Sequence, residues 1–239
     1  FTKLFKKSKK VDETNIQLAN SWIGINNQLI EQVLPNLKWD ISIDEKLDLN
    51  LQGRYMMICN HQSWGDTTVN QYFGLTRMPL TRFFTKWELI FIPFVGQAFK
   101  ILGFPMMKRH TKEQIAKNPE LKSRDMYEAR KACEQLLSQP FTLLNYLEGT
   151  RFTPEKHAQQ QSPYKNLLKP KAGGLALALN ILGDKIDALV DMTIVYPDGV
   201  PDYGDFWLGD VPRIAVDLRQ IDIPNWVIGG NYEDDPVYR

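Results

Sequence analysis

Apolar positions recur along this chain in two rhythms. In residues 14 to 32, Ile16, Ala19, Ile23 and Ile30, with Asn26 among them, share one face of a helix that starts near Thr14 or Asn15. Trp39 to Ile43 alternates apolar and polar and predicts a strand. Leu47 to Leu49 predicts a second short strand before the turn Asn50-Leu51-Gln52-Gly53. Tyr55 to Cys59 is continuously apolar and predicts a strand buried on both faces. A helix follows over residues 66 to 75, and Arg82 to Thr85 reads as a short strand. Between Lys86 and Gly103 the pattern predicts a helical turn, a proline break and a short helix. Phe104 to Met107 then reads as an edge or short strand, because Pro105 has no N–H to donate.

The second half repeats the alternation. Thr111 to Leu121 is polar and predicts a surface loop or frayed helix. Ser123 to Ser138 predicts a helix with Met126, Ala129, Cys133, Leu136 and Leu137 on its apolar face, stopped by Pro140. Phe141 to Leu147 predicts a buried strand. Residues 152 to 172 are polar, with Lys156, His157, Lys165, Lys169 and Lys171, and predict a long loop lining or covering a site. Gly174 to Leu182 predicts a short apolar helix. Asp187 to Tyr196 predicts a buried strand ended by Pro197-Asp198-Gly199, and Pro212 to Leu218 a last strand. Strands alternating with helices imply an α/β fold with a central mixed, mainly parallel sheet flanked by helices. In such sheets ligands sit beyond the carboxyl ends of the strands. Residues 1–35 read as a basic, membrane-proximal segment and helix, and 36–239 as the main domain.

Composition adds exclusions. The 239 residues are 43% hydrophobic and 24% charged, enough for a sizeable core, and the formal charge of +1 is not that of a polyanion binder. Zinc-finger spacing and paired RNA-binding aromatics are absent, so no nucleic-acid partner is expected. The two cysteines, Cys59 and Cys133, fall in a strand and a helix and read as reduced thiols; no metal site is expected. No stretch reaches the roughly 18–20 apolar residues of a membrane span. The chain begins at Phe1, so an upstream segment is expected to have been removed. Five of the first ten residues are lysine, interleaved with Phe1, Leu4 and Phe5, which suits either a solvated tail or contact with anionic lipid.

Two polar clusters stand where buried strands end. His61-Gln62-Ser63-Trp64-Gly65-Asp66 follows the first, and Glu148-Gly149-Thr150-Arg151 the second. His61 and Asp66 can meet if His61 lies in the turn before a helix that Asp66 begins; the pair is then a general base with its orienting carboxylate. A histidine bonded to loop backbone and an aspartate capping the helix would look the same in sequence. Ser63 is too close in the turn to act as nucleophile, no Gly-x-Ser-x-Gly elbow exists, and Cys59 is placed in the strand. Arg151 suits paired bonds to a phosphate, Gly149 close backbone approach, and Glu148 either a substrate hydroxyl or the Arg151 guanidinium. Lys86, Lys108 and Arg109 can add positive charge to the same rim. Gly173-Gly174 lacks the spacing of a nucleotide loop and reads as a helix start.

These blocks together resemble the glycerolipid acyltransferase family, of the 1-acylglycerol-3-phosphate (lysophosphatidate) acyltransferase type. Asn60-His61 through Asp66 is similar to its His-four-residues-Asp motif. Phe84-Thr85-Lys86-Trp87-Glu88-Leu89, with Pro93, Gly96, Gly103 and Arg109, forms a second block. Leu147-Glu148-Gly149-Thr150-Arg151 is a third, and Val190 to Pro197 a fourth. The blocks keep the family's order over roughly residues 55 to 197. Tyr146-Leu147 stands where many members have Phe-Pro, and Asp191 and Thr193 depart in the fourth block.

The resemblance implies an O-acyltransferase. His61 would take the proton of an acceptor hydroxyl and Asp66 would orient His61. Glu148, Gly149, Thr150 and Arg151 would bind the acceptor's glycerol phosphate, with Lys86 the next contact and Arg109 an additional one. The donor would be acyl-coenzyme A or acyl carrier protein, used as a substrate with no bound cofactor and no metal; the acceptor would be a lysophospholipid. The implied setting is a membrane surface, the cytoplasmic side of the bacterial inner membrane, with an anchor upstream of Phe1. Leu89 to Phe94 is expected to lie against an acyl tail or the bilayer. A lipid or thioester hydrolase, a glycerol-3-phosphate acyltransferase and a non-catalytic lipid-binding protein are the rival readings.

Overall fold

The computed structural model describes residues 9–107 and 110–228. In chain order the elements begin with α1 (Lys9–Val33), β1 (Lys38–Ile43), β2 (Arg54–Cys59), α2 (Gly65–Gly74), β3 (Thr81–Phe83) and β4 (Thr85–Lys86). A 3-10 turn over Trp87–Phe91 leads to α3 (Val95–Ile101), β5 (Met106–Met107), α4 (Lys112–Lys117), α5 (Glu120–Leu136) and β6 (Phe141–Tyr146). The last elements are α6 (Pro154–Gln160), α7 (Gly173–Leu182), β7 (Ala188–Val195), α8 (Tyr203–Leu208), β8 (Arg213–Ile221) and a 3-10 turn over Asn225–Val227.

Six strands form one sheet in the order β1-β8-β7-β2-β6-β3. Every neighbouring pair is parallel except β7 with β8, so the sheet is mixed and mainly parallel, as the alternation of elements implies. β4 and β5 make a separate two-stranded pair. The unbroken apolar run of β2 has a simple cause: both of its faces are covered. Tyr55, Met57 and Cys59 pack with Val69 and Phe73 of α2, Ile30 of α1 and Phe206 of α8. Met56, one step out of phase, packs on the other face with Cys133 and Leu136 of α5 and Ala178 and Leu182 of α7. The period-two alternation of a strand thus divides one apolar sequence between two cores.

Several boundaries differ from the sequence reading. α1 begins at Lys9, not near residue 14, because nothing in Lys9 to Glu13 breaks a helix and Asp12 suits its positive end. It buries Ile23 and Ile30, but also carries an outward stripe of Val11, Leu18, Trp22, Ile25, Leu29 and Val33. Leu47 to Leu49 is not a strand. The Tyr55 hydroxyl donates to Asp48 O (3.1 Å) and accepts from Asn50 N (2.9 Å), so a side chain satisfies groups that a ladder would have used. Within Thr111 to Leu121, Thr111 and Gln114 form a capping box that starts α4. The stretch 152 to 172 holds α6, begun by a Thr153 cap and Pro154. α8 starts on a reciprocal Asp202–Asp205 cap, and β8 runs on to Ile221 because β7 still offers Leu189 as its partner. Met126 is exposed although it shares the apolar face of α5.

Both cysteines are free thiols and buried. Among the described residues, no helix is long and apolar enough to cross a membrane. Residues 1 to 8, which carry most of the basic segment, lie outside the described residues, as do Lys108 and Arg109.

Candidate active site

β7, β2 and β6 are adjacent and parallel, so their carboxyl ends open at one edge of the sheet. Three loops therefore meet there. Asn60, the first residue past β2, donates from Nδ2 to Ile194 O (2.8 Å) and accepts Ile194 N–H at Oδ1 (2.8 Å), tying the loop to β7. His61 is tied to the loop after β6. Its N–H donates to Glu148 Oε1 (2.9 Å), and its carbonyl accepts from Phe152 N (2.7 Å). These links join polar clusters 87 residues apart in sequence.

His61 Nδ1 lies 2.8 Å from Asp66 Oδ2. Asp66 sits in the first turn of α2 rather than at its cap, which is Trp64. Its carboxylate is buried and accepts four hydrogen bonds. Oδ2 takes Gln62 N (2.6 Å), Ser63 N (2.9 Å) and the imidazole; Oδ1 takes the Tyr196 hydroxyl (2.7 Å). Burying a charge demands this degree of satisfaction. Because the carboxylate can only accept, Nδ1 carries the proton and Nε2 presents a lone pair. Nε2 has no hydrogen-bond partner among the described residues, and the imidazole side chain is 19% exposed. The ring stacks on Tyr146, centroids 4.1 Å apart. Burial, then the nearby Asp66 charge, pushes the Tyr196 phenol up, so it remains a donor. Gly65 admits Phe206 of α8, whose ring carbon would stand 2.8 Å from any Cβ at position 65.

Among the described residues near the base, neither Ser63 nor Cys59 is set to act as a nucleophile. Ser63 Oγ donates to Pro201 O (2.7 Å) and accepts Gly65 N–H (3.1 Å). Cys59 is buried, and burial, then the charges of Asp66, Asp191 and Glu148, pushes its thiol well up and away from the reactive thiolate. Among the described residues no group of His, Cys, Asp and Glu is arranged to hold a metal ion.

Glu148 is buried, and both its oxygens receive backbone N–H groups: His61 on one, Leu168 (2.8 Å) on the other. One carboxylate thus fixes the base's backbone and the loop that approaches α7. Gly149 has φ 66° and closes a turn by donating to Tyr146 O (2.9 Å). The Lys171 side chain crosses directly over it. Thr150 Oγ1 and Arg151 O both accept from Lys156 Nζ, at 2.9 and 3.0 Å. The Arg151 guanidinium lies 3.9 Å above the Trp64 ring, a cation–π contact between the two polar clusters. Gln62, Ser63, Trp64 and Arg151 face Val200, Pro201 and Asp202 across an open cavity of about 460 Å³. A larger concavity, about 550 Å³, lies over Trp39 to Ser42 and holds none of the predicted site residues.

The structure therefore gathers His61, Asp66, Glu148, Gly149, Thr150 and Arg151 in one place. Lys86 is exposed on β4, in the separate strand pair with β5. Arg109 lies outside the described residues. Sequence reasoning missed Tyr196 as a partner of Asp66, Trp64 as the platform for Arg151, and Lys156 as the staple of the turn. Tyr196 carried one signal, a phenol at the end of a buried strand, where a hydroxyl needs a partner.

The family model described as Acyltransferase matches residues 38–197. Among curated proteins, none matches the chain. Solved structures that match include the crystal structure of the 1-acyl-sn-glycerophosphate (LPA) acyltransferase PlsC from Thermotoga maritima. It is 17% identical, with a TM-score of 0.49, over 86% of this chain and 71% of that one.

Proposed function

This chain belongs to the acyltransferase family, and on that premise we propose that it moves a fatty acyl group from acyl-coenzyme A or acyl carrier protein to the free hydroxyl of a lysophospholipid, with 1-acylglycerol-3-phosphate as acceptor and phosphatidate as product. The observation that carries this reading is the His61–Asp66 pair, its Nε2 open, set beside a turn that presents Arg151.

His61 Nε2 takes the proton of the acceptor hydroxyl as its oxygen attacks the thioester carbonyl. The imidazolium so formed is stabilised by Asp66 through Nδ1–H. The tetrahedral intermediate collapses, the carbon–sulfur bond breaks, and the proton on Nε2 passes to the departing thiolate. Direct transfer fits the buried, protonated Cys59 and the committed Ser63, since neither is free to form an acyl-enzyme. Arg151 binds the acceptor phosphate, for which a planar guanidinium suits paired charge-assisted bonds. Glu148, Gly149 and Thr150 shape and hold the turn that presents it; Lys86 is proposed as a further phosphate contact, and Arg109 as an additional one. The donor is a substrate, so no resident cofactor is called for. We place the reaction at the cytoplasmic face of a bacterial inner membrane, where such acceptors reside.

The test is turnover of oleoyl-coenzyme A with lysophosphatidate in detergent, following thiol release and product lipid, with and without acceptor. Acceptor-dependent diacyl product, reduced at least ~100-fold in His61→Ala, is the expected result. Thiol release that needs no acceptor would make the protein a hydrolase instead, and binding of lysolipid without turnover on any thioester donor would make it a lipid-binding protein.

A further inference from the structure

The 3-10 turn Trp87–Phe91 and helix α3 meet at an apolar corner that the dyad does not use. Phe91 is 77% exposed and Phe94 89%, with Ile92 and Val95 each at 43%. Single exposed apolar side chains are ordinary, but four within five residues, two of them phenylalanine, form a patch. The corner is built rather than slack. Phe94 has φ 64° and ψ −46°, and Val95 N–H bonds to Pro93 O (2.8 Å), a γ-turn of a hand that bulky residues rarely adopt. Gly96 closes it, because a Cβ there would collide with the Ile90 carbonyl. Strained backbone that aims two aromatic rings into solvent is the kind of feature that persists at a contact site.

The surroundings identify what the rings meet. Lys86 and Lys100 flank the corner and are exposed, against one exposed acid in the segment, Glu88. At the far end of α3, Leu102 O accepts from Arg82 Nε (2.8 Å), and Arg82 interacts in turn with Asp12 in the first turn of α1. Asp12 is thereby close in space to the carboxyl end of α3. An apolar tip with basic groups around it suits a bilayer interface carrying anionic lipid.

We propose that Phe91 to Val95 is an insertion loop that docks the protein on an anionic lipid bilayer, with the rings of Phe91 and Phe94 passing below the headgroups. The inference rests on the reading of the acceptor as a membrane lipid, because docking brings the site to where that lipid is held.

The buried native cysteines make a selective probe available. The Phe94→Cys variant of the full chain, labelled with an environment-sensitive nitrobenzoxadiazole maleimide, is mixed with vesicles of phosphatidylglycerol and phosphatidylcholine. A blue shift with rising emission on vesicle addition is expected. The Phe91→Ser/Phe94→Gly variant, which loses no buried packing and relieves the positive φ, is expected to lose at least ~10-fold in vesicle sedimentation. Its transfer to a short-chain, water-soluble lysophosphatidate stays at the parent rate. An unshifted probe, or a variant that sediments like the parent, overturns the proposal. So does a shift seen with monomeric lysolipid alone, which would make this an acyl-tail site, or one that follows protein concentration without lipid, which would make it a self-association surface. Transfer to the soluble acceptor reports on the proposed chemistry independently of docking.

Discussion

The most discriminating perturbation at the dyad is Tyr196→Phe. Three donors converge on Asp66 Oδ2, whereas among the described residues Oδ1 accepts from the Tyr196 hydroxyl alone, at 2.7 Å. The substitution keeps the ring and leaves a carboxylate oxygen buried without its donor. A hydrogen bond to a charged group contributes about 1.5–3 kcal/mol. If the loss is expressed where the imidazolium leans on Asp66, kcat falls by roughly 10- to 150-fold. The part expressed in the resting protein lowers the thermal midpoint by up to about 12 °C at this chain length. KM for donor and acceptor should stay within about twofold, because neither substrate touches Tyr196 in this account. Tyr146→Phe is the control. Among the described residues its hydroxyl reaches Thr67 Oγ1 alone, at 3.5 Å, and the stack on His61 survives the change, so its kcat should stay within about threefold. Steady-state kinetics with melting curves for the three proteins decide the matter. A Tyr196→Phe kcat within twofold of the parent would refute the reasoning and show that the backbone donors of Gln62 and Ser63 hold Asp66 unaided.

Four further outcomes are expected. Trp64→Leu removes the surface on which Arg151 rests and should raise KM for the phosphate-bearing acceptor about 3- to 10-fold, with the donor's KM unchanged and Trp64→Phe restoring most of it; equal effects on both substrates would count against Arg151 as the phosphate ligand. Gly149→Ala forces a side chain into φ 66° and to 3.1 Å from the Lys171 stem, and should destabilise the protein by about 1–2 kcal/mol in denaturant melts. Burial holds both thiols above their ordinary value of 9.0, Cys133 at about 12, so a disulfide-exchange reagent at pH 8 should modify neither until the protein is denatured. The folded state keeps those protons while the unfolded chain releases them, so their contribution is intact below pH 9 and lost as pH rises toward 12; the melting temperature should fall over that window, less steeply in Cys133→Ala.

Local rules made much of this protein legible. The apolar runs Tyr55 to Cys59 and Phe141 to Leu147 marked buried strands, the second ending one residue earlier at Tyr146, and the polar clusters just past them lie together because a parallel sheet opens its loops at one edge. What went unread was settled by side-chain partners that spacing does not reveal, some a few residues away and others more than a hundred. Leu47 to Leu49 is no strand because the Tyr55 hydroxyl satisfies its neighbours. Glu148 was read for a substrate hydroxyl or for Arg151, yet both its oxygens hold backbone N–H groups, one of them that of His61. Asp66 owes its fourth donor to Tyr196, 130 residues on. Residue type and spacing determine which groups have chemistry to offer and which strand ends they follow. The pairing of donor with acceptor across loops depends on strand order, and that order is decided only when distant apolar faces pack together and each buried polar atom must find a partner.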